Sequence, residues 1–509
     1  MALHRGEEAD FDLLNYHFFD PFWVLVDHQR DIMPAQLQTY YNPTLDIPFY
    51  YAARHLSPRV VSYGVAVVQG LSFPILYLIA REFTRRRVLA LAAAGLGMFG
   101  AGALLEIGTV MGDTLTAPLM LGGLLLGLRV CVRSGEAASR RVVALAAGAG
   151  GLSGLGAGLK LSALPFSVAT VAAFLVVGLP FARRLLLAGA SACGVVAGLF
   201  VSYGWWGYEL AAHWGSPLLP YLNEFFASPY APLSQNLDQQ RLPHGPLEAL
   251  LYPFIWTLHW ERVGPFPFRE LALPILEAVL FLLLAKGVAV CLRRRAWRPI
   301  LGSDAERYLV LFAIVAYVIW VFAFGVYRYL IPLEMLSFVL IGVCVRRLLV
   351  PAQAWPSVAV VLAAIVALSL VTEWSAPRGR TAWASRYFSV TVPPALASPA
   401  AFLMAGNNPN GYIVPYFPTS DFFAEISGNI PPTPTVAARI KQDLRGYSHV
   451  YLFWSSPPAP FRGYEAFFAQ ANPPWQSYGF VVVESKCVTI PVKIGTVEKR
   501  VHACPLLRA

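Results

Sequence analysis

Ten stretches of mostly apolar residues punctuate the chain, at about 59–80, 88–105, 113–132, 142–159, 162–179, 185–206, 271–292, 308–326, 330–346 and 356–373. A helix needs about 20 such residues to cross a bilayer. The pattern therefore predicts an α-helical polytopic membrane protein with about ten transmembrane helices. The polar residues between the runs set its orientation. Arg81, Arg85, Arg86 and Arg87 follow the first run, and Arg129, Arg133, Arg140 and Arg141 the third. Arg183 and Arg184 follow the fifth, Arg293, Arg294, Arg295 and Arg298 the seventh, and Arg346 and Arg347 the ninth. Every second connection is basic, which the positive-inside rule reads as cytoplasmic.

The other connections then face outward: a first loop at 1–58, a link at 106–112, a corner at Lys160, a loop at 207–270, a corner at Arg328, and a tail at 374–509. They divide the chain into a first outer loop, a transmembrane domain at 59–373 and an extracytoplasmic domain at 374–509. The apolar run Leu247–Trp260 is too short to span and predicts an interfacial or re-entrant helix, with Trp256 and Trp260 at the headgroup level. No signal peptide or earlier span is read before the first loop, so either a further helix precedes it or the short N-terminal stretch is moved across by the first span, and the further helix is the expectation.

The tail changes character. Its turn signals include Pro393-Pro394, Asn408-Pro409, Pro431-Pro432 and Pro473-Pro474. β-prone runs at His449–Trp454 and Phe480–Glu484 alternate with helical patterns at Thr435–Leu444 and Tyr464–Gln470. This predicts a small α/β domain.

Composition agrees with the apolar pattern. The chain is 57% hydrophobic and 13% charged, against about 25% charged in soluble domains. The net charge of +10 does not point to nucleic acid, because the basic residues sit between apolar runs. Cys131, Cys193, Cys291 and Cys344 read as apolar packers. Cys487 and Cys504 lie in the tail, where export would permit a disulfide.

Ionisable groups at the outward edge are the candidates for chemistry. Asp10, Asp12, Asn15 and His17 lie in the first loop, Glu106 and Asp113 bracket the second link, and Lys160 and Arg328 stand at corners. Carboxylates there suit activation of a hydroxyl, and the cations suit a phosphate, Arg by a bidentate grip and Lys as a point charge. Plainer roles compete. Asp113 fits equally well as a helix cap, and Lys160 as a side chain reaching for the interface. Arg328 can be an interfacial anchor, Asp12 a solvated loop acid, and His17 a hydrogen-bonding loop residue. Gly154-Leu-Gly156-Ala-Gly158-Leu-Lys160 lacks the ending of a phosphate loop and reads better as small residues for close helix packing.

Several segments together resemble the bacterial GT-C-type glycosyltransferases that use polyprenyl-phosphate-linked sugars. They are Asp12-Leu-Leu-Asn15-Tyr16-His17, Asp31-Ile-Met-Pro34-Ala35 and Tyr41-Asn42-Pro43-Thr-Leu45-Asp46-Ile-Pro48 in the first loop. Gly112-Asp113, Gly158-Leu-Lys160, Gly215-Ser216-Pro217 and Tyr327-Arg328-Tyr329-Leu-Ile-Pro332-Leu-Glu334 extend the likeness over residues 10–345. The resemblance implies inverting transfer of a sugar to an envelope acceptor on the exported face of a bacterial inner membrane. It gives Asp12, with Asp10 as the near alternative, the role of general base or, in some members, metal ligand. It makes Asp113 the second acid, beside Glu106, and Lys160 and Arg328 the holders of the donor phosphate. Asn15, His17, Asn42 and Asp46 support the first loop. No cofactor is implied beyond that divalent metal. The family's pattern has a helix before the first loop, where this sequence begins inside it.

A transporter or flippase would also place charge in a helical bundle, but near the midplane and with internal repeats, and no repeat is evident. A non-catalytic scaffold would need no convergence of acids and bases.

Overall fold

In the computed structural model, residues 2–26, 28–133, 139–234, 238–265, 267–294, 300–349, 379–428, 430–455 and 473–509 are described. Among the described residues, seven helices are long and apolar enough to cross a membrane: Pro58–Phe83, Asp113–Val132, Arg140–Leu159, Phe181–Trp214, Ala272–Leu292, Asp304–Ala323 and Tyr327–Leu348. The chain is thus a polytopic helical protein, of the kind that resides in a membrane. The run expected at 356–373 and the helix expected at Tyr464–Gln470 lie outside the described residues.

Two apolar runs fold as shorter pieces. The run at 88–105 gives Arg87–Gly97 and then Ala101–Leu105. The break has a partner: the Glu334 carboxylate accepts from the Gly102 and Ala103 amides at 3.0 and 3.1 Å, supplying the cap that a restarted helix needs. The run at 162–179 becomes Leu161–Val176, a short helix with 3₁₀ ends.

The glycine-rich helix Arg140–Leu159 packs backbone to backbone on Phe181–Trp214. A Cβ on Gly150 would sit 1.8 Å from the Ser191 carbonyl oxygen, and one on Gly154 2.2 Å from that of Val195. These glycines serve the close approach that small residues permit, and Lys160 is placed at the end of that packed helix.

The tail holds a seven-stranded mixed sheet. We label its strands β1 (Phe388–Val390), β2 (Ala401–Met404), β3 (Phe422–Glu425), β4 (Val450–Ser455), β5 (Phe480–Val482), β6 (Val488–Ile494) and β7 (Val497–Arg508). Their order is β1-β6-β7-β4-β2-β3, with β5 pairing β7 off this path. β2 runs parallel to β3 and β4, while the β6–β7 half is antiparallel. The helix Pro434–Asp443 lies in sequence between β3 and β4, and its Val436 and Ile440 enter the core that contains the sheet. Simple strand–helix alternation thus describes only one side; the other is a hairpin ending the chain. Cys487 and Cys504 are disulfide-bonded across it.

Two apolar cores result. One lies among the helices. The other joins the first loop, the C-terminal end of Phe181–Trp214 and the tail sheet. The first loop is clamped there: the Phe423 amide donates to Asp31 at 2.9 Å, Ile32 bridges Ala424, and Trp206 donates to the Tyr40 carbonyl at 3.0 Å.

The run at Leu247–Trp260 folds as Pro246–Leu250 and Tyr252–Leu258. Leu247 and Leu258 are exposed, but Trp256 is fully buried. Its ring packs edge-on against Trp320 and Tyr327 at 5.7 and 5.8 Å. Trp256 is thus a buried contact among aromatic side chains of the bundle rather than an exposed ring.

Candidate functional site

A cavity of about 980 Å³ lies where the first loop, one set of helix ends and the 207–270 loop meet. Asp10, Asp12, His17, Asn42, Asp46, Lys160 and Arg328 all line it. Each arrives by a local device. Asp12 precedes a π-helical turn, Leu13–His17, a local widening frequently found at functional sites. Lys160 terminates Arg140–Leu159. Arg328 sits in the 3₁₀ turn Tyr327–Leu330 that leads into Ile331–Leu348. Tyr327 is locked below it by a 2.6 Å hydrogen bond from its hydroxyl to Glu334.

The charged groups form one chain. Arg328 Nη1 pairs with Asp12, and its Nε lies 3.7 Å from Asp113 Oδ2. The same Asp113 oxygen accepts from Lys160 Nζ at 2.7 Å, and Lys160 also donates to the Met111 carbonyl. Lys160 and Arg328 both approach the Tyr329 ring, at 5.7 and 5.4 Å from its centroid, within cation–π range. Gly112, with φ +91°, makes this possible: a Cβ there would stand 3.1 Å from Lys160 Cδ.

Burial works to raise the Asp12 carboxyl, but Arg328, His17 and Lys160 outweigh it and hold it below the usual range. Asp10 goes the other way. Burial and then the Asp12 charge raise it, against the hydrogen bond it accepts from the Leu13 amide. Glu106 is pushed well above the carboxylate range by burial and by Asp113.

The remaining candidates divide. Asp113 lies behind the two cations rather than on the cavity wall. Glu106 lies deeper, accepting from the Thr114 amide and hydroxyl at 3.0 Å each. Asn15 ties the π turn to the Ala35 carbonyl at 3.1 Å. Asn42 donates to the Gly158 and Ser202 carbonyls at 2.8 and 2.9 Å, pinning the first loop to the packed helix pair. Asp46 accepts His17 Nδ1 at 2.8 Å.

Several wall residues carry no sequence signal of their own. Tyr16, Tyr41, Tyr221 and Tyr329 line the cavity, and the Tyr41 and Tyr221 rings stack at 5.7 Å. Tyr16 and Tyr41 lie inside the family-like segments, but only the fold gives them a shared wall. Glu8, whose carboxylate accepts the Val110 amide, is likewise found only by the fold. Among the described residues, no cluster of three or more His, Cys, Asp or Glu side chains has the geometry to hold a metal.

Chemically, this is a large, part-apolar chamber with two cations at one wall, each backed by a carboxylate, and a carboxylate–imidazole pair at another. No protein-family model, curated protein or solved structure matches this chain.

Proposed function

We propose that the chain is a GT-C-type membrane glycosyltransferase. It moves a sugar from a polyprenyl-phosphate donor to an envelope acceptor on the exported side of a bacterial inner membrane. In this reading the bundle has about ten spans, and the cavity, the first loop and the tail lie on the exported side. The observation that carries it is the pairing of Arg328 and Lys160 on one wall of a chamber that opens at the helix ends. A phosphate arriving there would meet a bidentate donor and a point charge together. Both would stabilise the charge that develops on the leaving phosphate.

Asp12 and Asp113 hold the two cations in place when no donor is bound, and a donor phosphate competes with Asp12 for Arg328. The tyrosine wall offers ring faces to a sugar. The exposed apolar faces of the bundle leave a lipid-linked donor a sideways route from the bilayer. Charge at the helix ends rather than at mid-helix weighs against a transporter, whose binding groups lie near the midplane.

The test is transfer from radiolabelled polyprenyl-phosphate sugars in membranes, comparing wild type with Asp12→Asn and Arg328→Ala. Transfer by the wild type that both changes abolish, at equal expression, supports the reading. Transfer indifferent to both removes the site, and no transfer with any donor removes the enzyme.

A further inference from the structure

His17 lies on the cavity wall but is not part of the chain of ion pairs. In an α-helix, residues five apart diverge by about 140°. The π turn Leu13–His17 is closed by i to i+5 bonds, which set Asp12 and His17 one turn apart, and both line the chamber. His17 is 4% exposed and Asp46 is 4% exposed, so their 2.8 Å contact is shielded from water. A carboxylate on Nδ1 fixes the proton there and leaves the lone pair on Nε2. That Nε2 atom is buried and has no hydrogen-bond partner among the described residues. A buried polar atom left unpaired in a native fold requires an explanation.

Asp12 and Asp10, the first-loop acids nearest the ion pairs, each have a partner already. One Asp12 oxygen is taken by Arg328, and Asp10 accepts the Leu13 amide. The groups around the imidazole are Asp46 on Nδ1, Tyr16 with its ring 4.1 Å away, and the charge of Asp12 and Asp10 across the turn. Asp20 has neither carboxyl oxygen partnered among the described residues, and burial, then the Asp46 charge, push its carboxyl well above the usual range. Asp46 is the carboxyl group in direct contact with the ring.

We propose that His17, oriented by Asp46, is the base that takes the proton from the acceptor's hydroxyl. The proposal rests on the transferase reading and gives Asp12 the different task of holding Arg328. The acceptor oxygen attacks the anomeric carbon. The bond from that carbon to the phosphate oxygen breaks, and its electron pair leaves with the polyprenyl phosphate beside Arg328 and Lys160. The hydroxyl proton moves to Nε2, and the resulting imidazolium rests between Asp46 and Asp12 until the proton passes to water. The acceptor is thus an alcohol, such as a sugar or glycan hydroxyl, presented on the tyrosine side of the chamber.

The test uses the full chain in membranes. His17→Ala should lower kcat by about 10²- to 10⁴-fold, the usual range for a positioned base, with the donor KM changed by no more than about twofold. Added imidazole should restore part of the transfer to His17→Ala and none to Arg328→Ala. His17→Asn keeps an N–H for Asp46 but offers no base, so it should be as slow as His17→Ala, with a thermal midpoint near that of the wild type. Full transfer by His17→Asn, or loss of donor binding in both variants without imidazole rescue, overturns the proposal and leaves the transferase reading standing. Absence of transfer from the wild type with every donor overturns both.

Discussion

Two carboxylate–arginine clusters stand at opposite ends of the helix Ile331–Leu348, and they are built to different ends. At its C-terminal end, the inner cluster of the transferase reading, Glu306 is fully buried and accepts from both Arg346 and Arg347, at 2.6 and 2.7 Å. It also accepts from the Gly302 and Ser303 amides, and Ser303 completes a capping box at the start of Asp304–Ala323. Both of its oxygens are used, and neither the acid nor either arginine lines the large cavity. At its N-terminal end, the outer cluster of that reading, Arg328 shares itself between Asp12 and Asp113 beside a chamber of about 980 Å³. The ingredients match; the surroundings differ. A saturated cluster ties helices together, whereas one facing open space can exchange a partner for a ligand.

That contrast is open to attack by mutation. The largest effect is expected from Arg328→Ala, which should lower transfer by about 10²- to 10³-fold, the range for loss of one donor to a developing anion, with a thermal midpoint that falls less than in Glu306→Gln. Glu306→Gln should do the reverse. It removes the carboxylate charge shared by two arginines, and loss of a buried partner costs about 3–5 kcal/mol; the partial exposure of both arginines, and the Phe83 carbonyl that Arg346 keeps, put this case at the lower end. Turnover per folded molecule should stay at the wild-type level. If Glu306→Gln alters turnover and Arg328→Ala alters only stability, the assignment of roles is reversed.

A paired glycine test sharpens the difference. Gly112→Ala must hold a left-handed backbone, at about 1–2 kcal/mol, and presses on Lys160, so donor affinity should fall along with the midpoint. At the inner cluster, Gly302→Ala meets only the Arg347 guanidinium, the far end of a flexible side chain. A smaller loss is expected there, read by thermal melting of both variants.

The smallest effect concerns acid. Asp12 is held below its usual value, so its contribution is present above the unfolded-state value of about 3.9. It is lost only as pH falls through the lower folded-state value. The difference in midpoint between wild type and Asp12→Asn should be constant above about pH 4 and shrink below it. A difference that fades near neutrality would mean that Arg328 does not hold Asp12.

The helical framework was legible because apolar runs and basic connections recur along the whole chain. The runs that broke did so for reasons outside themselves. The stretch 88–105 divides where Gly97 admits the Met335 carbonyl, a Cβ there lying 2.2 Å from it, and where Glu334 caps the restarted helix. Those partners are more than 230 residues away. Alternating connections also placed Asp12, Asp113, Lys160 and Arg328 at one edge, but not which atom meets which. The His17–Asp46 contact spans 29 residues and depends on a π turn, which no local propensity announces. In the tail, β6 did carry a signal: Ile490, Val492 and Ile494 point inward while Thr489, Pro491 and Lys493 point out. Pro491 masks that alternation, because proline within a run argues against a strand.

The central claim is that the outer cluster exchanges a carboxylate for a phosphate and the inner one does not. Its most direct test is binding of a polyprenyl phosphate, without sugar, to the purified full chain, measured for wild type, Arg328→Ala and Glu306→Gln. The account predicts binding weakened about 30-fold or more by Arg328→Ala, as for loss of a phosphate-binding charge, and unchanged in the folded fraction of Glu306→Gln. Equal affinity in all three proteins would contradict it.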